Sequence, residues 1–520
     1  MRRIPIAAAL AVLLVACSSE EPPVPTATTP DPKPTAPPHV VLVVLDTLRA
    51  DHLSCYGYER ETSPNLDALC AQSTVYERAW SASSWTLPSH ASLFTGLMPI
   101  RHGAHNENRV LDGRHPTLAE ALGDAGYDPI AVVSNAMLAT DRKLDRGFRR
   151  YFETWRVLFE KHPKLFPDFE SDGPTAWKEV DNPIFRAAAR QLRPGIDENS
   201  FFRFRKSVVD HHPDEPLFLF VNLVGVHSPY DSSGPFIDRF LRHPEMDVRD
   251  NRWPDHYAGR IEMGPELVEH LVDLYDAEIL HADHVVGLMI EELKRAGLWE
   301  DTLFIVTSDH GESLGEHGHM SHVFSLHEPL TRIPLIVHHP PAFAPGVRVR
   351  TPVHLVDLFP TILEAAGVDV SAYDVDGRPL PRSDEATGRE VVAEYYYPWE
   401  QIRFLHTLFP EDAPRLEAWQ RRLRAITRGD MKLVWASDGR HELYDLARDP
   451  DEQNDLIQDP AHAATRDELL AALERFVAEN GGDTEVPTWD PEHPDRSPGA
   501  RPEGDLDPET LRQLEELGYL

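Results

Sequence analysis

The chain has 520 residues, with 51 Lys and Arg against 86 Asp and Glu, a formal charge of −35. An apolar fraction of 41% with 10 Trp is enough for a large buried core and excludes global disorder. So large an acid excess excludes a nucleic-acid binder, whose backbone affinity comes from Lys and Arg, and a protein held to anionic lipid by its own charge. The 27 His are more informative, because imidazole both ligates metals and carries protons near pH 7.

In chain order, Arg2 and Arg3 form a basic head before Ile6 to Ala16, an apolar stretch too short to span a bilayer but suited to a signal-peptide core. It ends in Leu14-Val15-Ala16-Cys17, which resembles a bacterial lipobox. The expectation is a signal peptide over 1–16 and a diacylated Cys17. Ser18 resembles the pattern that directs lipoproteins to the outer membrane. The resemblance implies a lipid-anchored protein of the bacterial envelope, expected at the outer membrane facing the periplasm. Residues 17–38 carry the anchor and eight Pro and read as an extended tether. Of the remaining thiols, Cys55 and Cys70 could pair in an oxidising compartment, but Cys70 in Leu66-x-x-Leu69-Cys70 reads more simply as the core residue of a helix.

From residue 39 strand and helix patterns alternate. Val40–Leu45 is a continuous apolar run suited to a strand buried on both faces. Thr62-Ser63-Pro64-Asn65 predicts a capped helix start, and Pro88–Thr95 a short helix stopped by Gly96. A helix at Thr117–Ala125 precedes a strand at Ile130–Val133, and Leu217–Val224 is another buried strand. Glu266–Ala296 has helical periodicity, with Gly297 as its stop. Strands at Thr302–Val306 and Ile333–Val337 and a helix over Leu355–Ala366 complete an α/β domain over 39–390, a mixed or mainly parallel sheet between helices. Four short strands (Val391–Tyr396, Arg424–Thr427, Met431–Trp435, Glu442–Tyr444) predict a small antiparallel subdomain over 391–480. Residues 481–520 read as a Pro- and acid-rich tail with a terminal helix.

In open α/β sheets, ligands gather at the carboxyl ends of strands. Three such ends carry chemistry: Asp46 after the first strand, Ser308-Asp309-His310-Gly311-Glu312 after Thr302–Val306, and His227 after Leu217–Val224. Two carboxylates and an imidazole converging there suit one divalent cation. In Ser84-Trp85-Thr86-Leu87-Pro88-Ser89-His90, Pro88 puts Thr86 at a helix N-terminus, where free amides favour an anion. Thr86 reads either as an N-cap or as a nucleophile activated by the cation.

These segments resemble the sulfatases of the alkaline phosphatase superfamily over roughly residues 38–460. The matching motifs are Asp46, Arg49 and Asp51; Thr86-Leu87-Pro88-Ser89-His90 with Ala91 to Gly96; Ser308 to Glu312 with Leu314 to Gly318; and Met431-Lys432-Leu433 with Glu442 to Leu446. The resemblance implies an alkaline phosphatase-like fold and a metal-dependent hydrolase of sulfate or phosphate esters. In that family a signature Cys or Ser becomes formylglycine; position 86 is Thr, whose oxidation would give a ketone, so formylglycine is not expected. The signature Arg is His90, the usual Lys is His322, and the second Asp of the leading pair is Thr47. Lipoteichoic acid synthases and phosphoethanolamine transferases resemble this chain in using Thr. The implied site has Asp46, Asp309, His310 and Thr86 on one divalent ion (Ca, Mn, Mg or Zn), Thr86 as nucleophile and His227 as general acid. His90 and His322 stabilise the transferred group, and Arg49, His102 and His317 contact substrate. For His102, His227, His317 and His322 an ordinary hydrogen-bonded role is the alternative. A phospho-group transferase acting on envelope lipid or glycan, and a non-catalytic binding protein, are the competing functions.

Overall fold

The computed structural model describes residues 37–156, 196–230, 234–248, 251–385 and 388–482. The expected signal peptide, Cys17, nearly all of the tether and the tail beyond residue 482 lie outside the described residues. From Pro37 onward the described residues pack as one unit. Among the described residues, no helix is long and apolar enough to cross a membrane.

Eight strands form the main sheet: β1 (His39–Leu45), β2 (Thr74–Tyr76), β3 (Asp128–Val133), β4 (Arg150–Glu153), β5 (Leu217–Leu223), β6 (Thr302–Thr307), β7 (Leu335–His338) and β8 (Val347–Val349). Their order is β8-β2-β7-β6-β1-β5-β3-β4, and β7 alone runs against its neighbours. The central strand β1 is buried on both faces, which explains its unbroken apolar sequence. Val41, Val43 and Leu45 join one core with α1 (Pro64–Cys70), α4 (Ile196–Val209) and α5 (Pro265–Ala296). Val40, Leu42 and Val44 join a second with α2 (Thr86–Thr95), α3 (Leu118–Asp124) and α6 (Leu358–Ala365). The alternating period of a strand thus splits one run of residues between two helical layers. The expected strands and helices are found with shifts of one to three residues at their ends.

The start of α1 differs in its physical basis from the expectation. Ser63 makes no side-chain cap to its own helix. The first amides of α1 are taken instead by Asp283 of α5, whose carboxylate accepts from Asn65 N (3.1 Å) and Leu66 N (2.7 Å). A partner more than 200 residues away performs the capping that the local sequence suggested. Cys70 is a buried residue of α1, as read, but that reading was incomplete: it forms a disulfide with Cys55, with 6.6 Å between Cα atoms.

The C-terminal sheet has the expected antiparallel order, β9 (Glu390–Tyr395), β10 (Leu423–Arg428), β11 (Met431–Ala436) and β12 (Glu442–Asp445). One face packs on α7 (Ala463–Glu479), while Ala393, Tyr395, Leu423, Ala425 and Val434 of the other face continue the main core. A buried ion cluster joins the two parts. Lys432 of β11 is 1% exposed, and its Nζ lies 2.9 Å from Glu328 and 2.8 Å from Glu452. Glu328 also accepts from the Trp80 indole (3.0 Å) in the body of the α/β domain. His327, next in sequence, pairs with Glu442 of β12 at 2.9 Å.

Candidate active site

The carboxyl ends of β1, β3, β5 and β6 converge on one buried cluster. β1 and β5 are in register to Leu45 and Leu223, and Asp46 N extends that ladder to Leu223 O (2.8 Å). Asp46 is fully buried; its Oδ2 accepts from Asn135 after β3 (2.8 Å) and from Asn222 in β5 (3.2 Å). β6 delivers Asp309 and His310, both buried. Asp309 Oδ1 accepts from Thr47 N (3.3 Å) and His310 N (2.9 Å). The ligand atoms of Asp46, Asp309 and His310 lie within 4.8 Å of one another.

Each amide bond leaves something free. Asp46 Oδ1 and Asp309 Oδ2 are buried with no hydrogen-bond partner. Buried carboxylate oxygens without a donor are costly unless a cation meets them. His310 Nδ1 lies 2.9 Å from Gly311 O. A carbonyl only accepts, so Nδ1 carries the proton and Nε2 presents its lone pair, as a metal-bound imidazole requires. Two oxygen donors and one ring nitrogen, each held by neighbours from behind, fit a divalent cation. Burial, and then the neighbouring Asp46, push the Asp309 carboxyl well above its usual range, and burial holds His310 well below its own. These directions describe like charges crowded in a site built for a counter-ion.

Thr86 opens α2 behind Trp85, whose side chain makes no cap hydrogen bond, so the helix end is free to face a ligand. The Thr86 side chain is buried, and its Oγ1 lies 3.4 Å from His310 Nε2. His90, one turn on, donates Nδ1–H to Thr86 O (2.8 Å) and lies 3.5 Å from Asp309 Oδ2. Its Nε2 is buried without a partner. His227 turns Nδ1 towards Ser228 O beside a cis Ser228–Pro229 bond, leaving Nε2 free for a proton. The His322 ring centre is 4.8 Å from that of His310 and 4.9 Å from that of His227. Thr86, His90, His227 and His322 therefore gather with the carboxylates, as the sequence suggested.

Three other singled-out residues are engaged elsewhere. Arg49 forks onto Asp51 (2.7 and 2.9 Å) and bonds Glu316 (2.5 Å) and Glu312 O (3.1 Å). His102 accepts from Ala104 N and donates to Ser92 Oγ, both at 3.0 Å, so its ring nitrogens tie α2 to the loop after it. His317 stacks on His327 at 3.9 Å and faces Tyr444 of the C-terminal sheet.

Sequence reasoning passed over Asn135 and Asn222, whose amides aim Asp46. It also passed over the pairing of buried Glu312, whose Oε1 lies 3.4 Å from both His322 Nδ1 and Asn251 Nδ2. A fourth such residue is Asp197 in the first turn of α4, which accepts from Val224 N (3.1 Å) and Gly225 N (3.0 Å), just ahead of His227. Burial, only partly offset by His281, pushes the Asp197 carboxyl up to about 7. The folded protein then holds a proton that the unfolded chain releases near pH 4. Stability is therefore greatest at the acid end of this window and is lost as pH rises from about 4 to 7, by at most about 4 kcal/mol. Asp197→Asn is expected to flatten that slope in thermal unfolding scans between pH 4.5 and 7.5. An unchanged slope would assign it to other groups.

The sheet order and the strand-end site define an alkaline phosphatase-like α/β protein. A phosphonate monoester hydrolase of Agrobacterium radiobacter superimposes with a TM-score of 0.65 at 21% identity, covering 85% of this chain and 96% of that one. The sulfatase profile matches residues 38–368, and an N-sulphoglucosamine sulphohydrolase C-terminal profile matches residues 315–479. The chain belongs to the sulfatase family of the alkaline phosphatase superfamily. Curated relatives include an N-acetylglucosamine-6-O-sulfatase of Bacteroides thetaiotaomicron, 23% identical over 86% of this chain and 87% of that protein. Another is the multifunctional alkaline phosphatase superfamily protein PehA of Trinickia caryophylli, 25% identical over 84% of this chain and 94% of that one.

Proposed function

We propose that this protein is a divalent-metal-assisted hydrolase of sulfate or phosphate esters that works through Thr86. The observation carrying this reading is the placement of Thr86 Oγ1 3.4 Å from His310 Nε2, beside two buried carboxylates with unpartnered oxygens. A divalent ion held by Asp46, Asp309, His310 and Thr86 would supply Lewis acidity, favouring the alkoxide and neutralising an oxygen of the ester.

The chain's own groups account for the remaining chemistry. Thr86 Oγ, its proton given up to solvent, attacks phosphorus or sulfur as the bond to the leaving alcohol oxygen breaks. His227, made a stronger acid by burial and the neighbouring His322, hands its Nε2 proton to that oxygen when protonated, and His90 and His322 face the charge building on the transferred group. Water then attacks the Thr86 ester, neutral His227 takes its proton, and the departing Thr86 Oγ regains a proton from solvent, restoring both groups. The relatives named above include enzymes named for sulfate and for phosphonate esters. A Thr nucleophile, which needs no formylglycine, favours phosphorus chemistry. We place the enzyme in a bacterial envelope, anchored through lipid on Cys17.

A short pulse of an aryl sulfate or an aryl phosphodiester, acid quench and peptide mass spectrometry test this reading. The expected result is a sulfuryl- or phosphoryl-Thr86 peptide, and its fragmentation identifies the ester class. Turnover without any modified Thr86 would sink the mechanism.

A further inference from the structure

The turn that carries Asp46 into the site has an unusual backbone. Thr47 sits at φ 60°, a left-handed conformation that a β-branched residue adopts only under constraint. The consequence is direct, because the Thr47 amide in this conformation donates to Asp309 Oδ1 (3.3 Å). The turn therefore orients both carboxylates, Asp46 through the chain and Asp309 through a hydrogen bond.

One hydroxyl closes the far side of the turn. Tyr275 Oη donates to Thr47 O (2.7 Å) and accepts from Arg49 N (3.0 Å), so it fixes the peptide groups after Thr47. Tyr275 is fully buried in the middle of α5, its ring 5.0 Å from that of His52 and 6.0 Å from that of Tyr230. Its helical neighbours grip the same stretch of chain. Asp276 bonds His52 (2.8 Å), Tyr58 (2.8 Å) and Arg60 (2.6 Å), and Asp273 pairs with Arg60 at 2.8 Å. On the near side Ser308 Oγ accepts from Leu48 N (3.0 Å) and donates to Leu45 O (2.7 Å). The Asp46 turn is thus clamped between the β6 end and the long helix, and Tyr275 is the helix's contact with Thr47.

We propose that Tyr275 is a positioning residue for the divalent cation. By holding Thr47 left-handed, its hydroxyl aims Asp46 and Asp309 together and so sets the affinity of the site. This inference rests on reading Asp46, Asp309 and His310 as metal ligands. Groups that orient ligands from behind are worth about 10–100-fold in metal affinity.

The test is calorimetric titration of chelator-treated full-length protein with Mn2+. Tyr275→Phe, which keeps the ring and removes only the hydroxyl, is expected to bind at least about tenfold more weakly than the parent. Adding Thr47→Gly to that variant is expected to restore the affinity, because glycine takes φ 60° without strain. A single variant that binds Mn2+ as tightly as the parent overturns the proposal, whatever its unfolding temperature, since a purely structural tyrosine would change stability alone. A double variant that remains tenfold weak overturns it as well, and it serves as the test should the single variant not fold. Failure of the parent to bind Mn2+ would instead remove the metal reading, and this proposal with it.

Discussion

Thr86→Ala is expected to lower turnover of sulfate and phosphate esters by at least about a thousandfold, because it removes the atom that forms the covalent intermediate. The expected loss is in kcat. Binding of the ester depends on groups around Thr86 that the substitution leaves in place. Thermal unfolding should move little, since the methyl and hydroxyl of one buried side chain are lost at a site where Oγ1 has a single long contact, to His310. Thr86→Ser keeps the nucleophilic oxygen and is expected to retain activity within about tenfold. Steady-state assays of both variants on an aryl sulfate, an aryl phosphomonoester and an aryl phosphodiester decide the matter. An alanine variant that turns over any of them at close to the parent rate would remove Thr86 from the mechanism.

Asp309→Asn is expected to abolish activity and metal binding while making the chelator-treated protein more stable. These effects have opposite signs for one reason. Asp46 and Asp309 are buried side by side, and each carries an oxygen with no donor. Without a cation they repel one another and cannot both ionise at low cost, which is why burial and Asp46 hold the Asp309 carboxyl well above its usual range. A neutral amide relieves that repulsion but is a poor ligand for a hard cation. Calorimetric titration with a divalent ion, paired with thermal unfolding in chelator, measures both quantities. An asparagine variant that binds the ion like the parent, or is less stable than the parent in chelator, would argue against a metal centre here. Chelation of the parent is expected to stop turnover reversibly, because the supporting bonds from Asn135, Asn222 and Thr47 do not depend on the ion.

Much of this site was legible in the sequence because the informative residues follow directly on buried strands. The apolar runs of β1, β5 and β6 mark their own carboxyl ends, so the sequence alone places Asp46, His227, Asp309 and His310 on one edge. Pro88 did the same for Thr86 by marking a helix start. What the sequence concealed are pairings between distant segments. Asn135 and Asn222 read as ordinary polar residues near strand ends, and nothing local says that both amides point at Asp46. Tyr275 reads as one more apolar position in a long helix, its hydroxyl invisible to periodicity. The same limit explains Arg49, His102 and His317, chosen for residue type and motif, whose partners are Asp51 and Glu316, Ser92 and Ala104, and His327. The short strands β2, β4 and β8 and the helices α4 and α7 were missed for lack of length or of a clear capping signal.

Lys432 gives the C-terminal sheet a meaning for inheritance and engineering. The pattern change near residue 390 looks like a seam at which one relative's tail could be exchanged for another's. Yet Glu328, on the α/β side of that seam, and Glu452, on the other, share the Lys432 ammonium in a nearly waterless place. A graft that brings a sheet without a lysine at this position leaves the Glu328 carboxylate only the Trp80 indole and a longer ion pair with Arg332 (3.6 Å), beside the segment that carries His322 and His327. Chimeras cut at residue 390 must therefore carry these three residues as one heritable set, and the two halves of this chain are free to diverge only where that set stays whole.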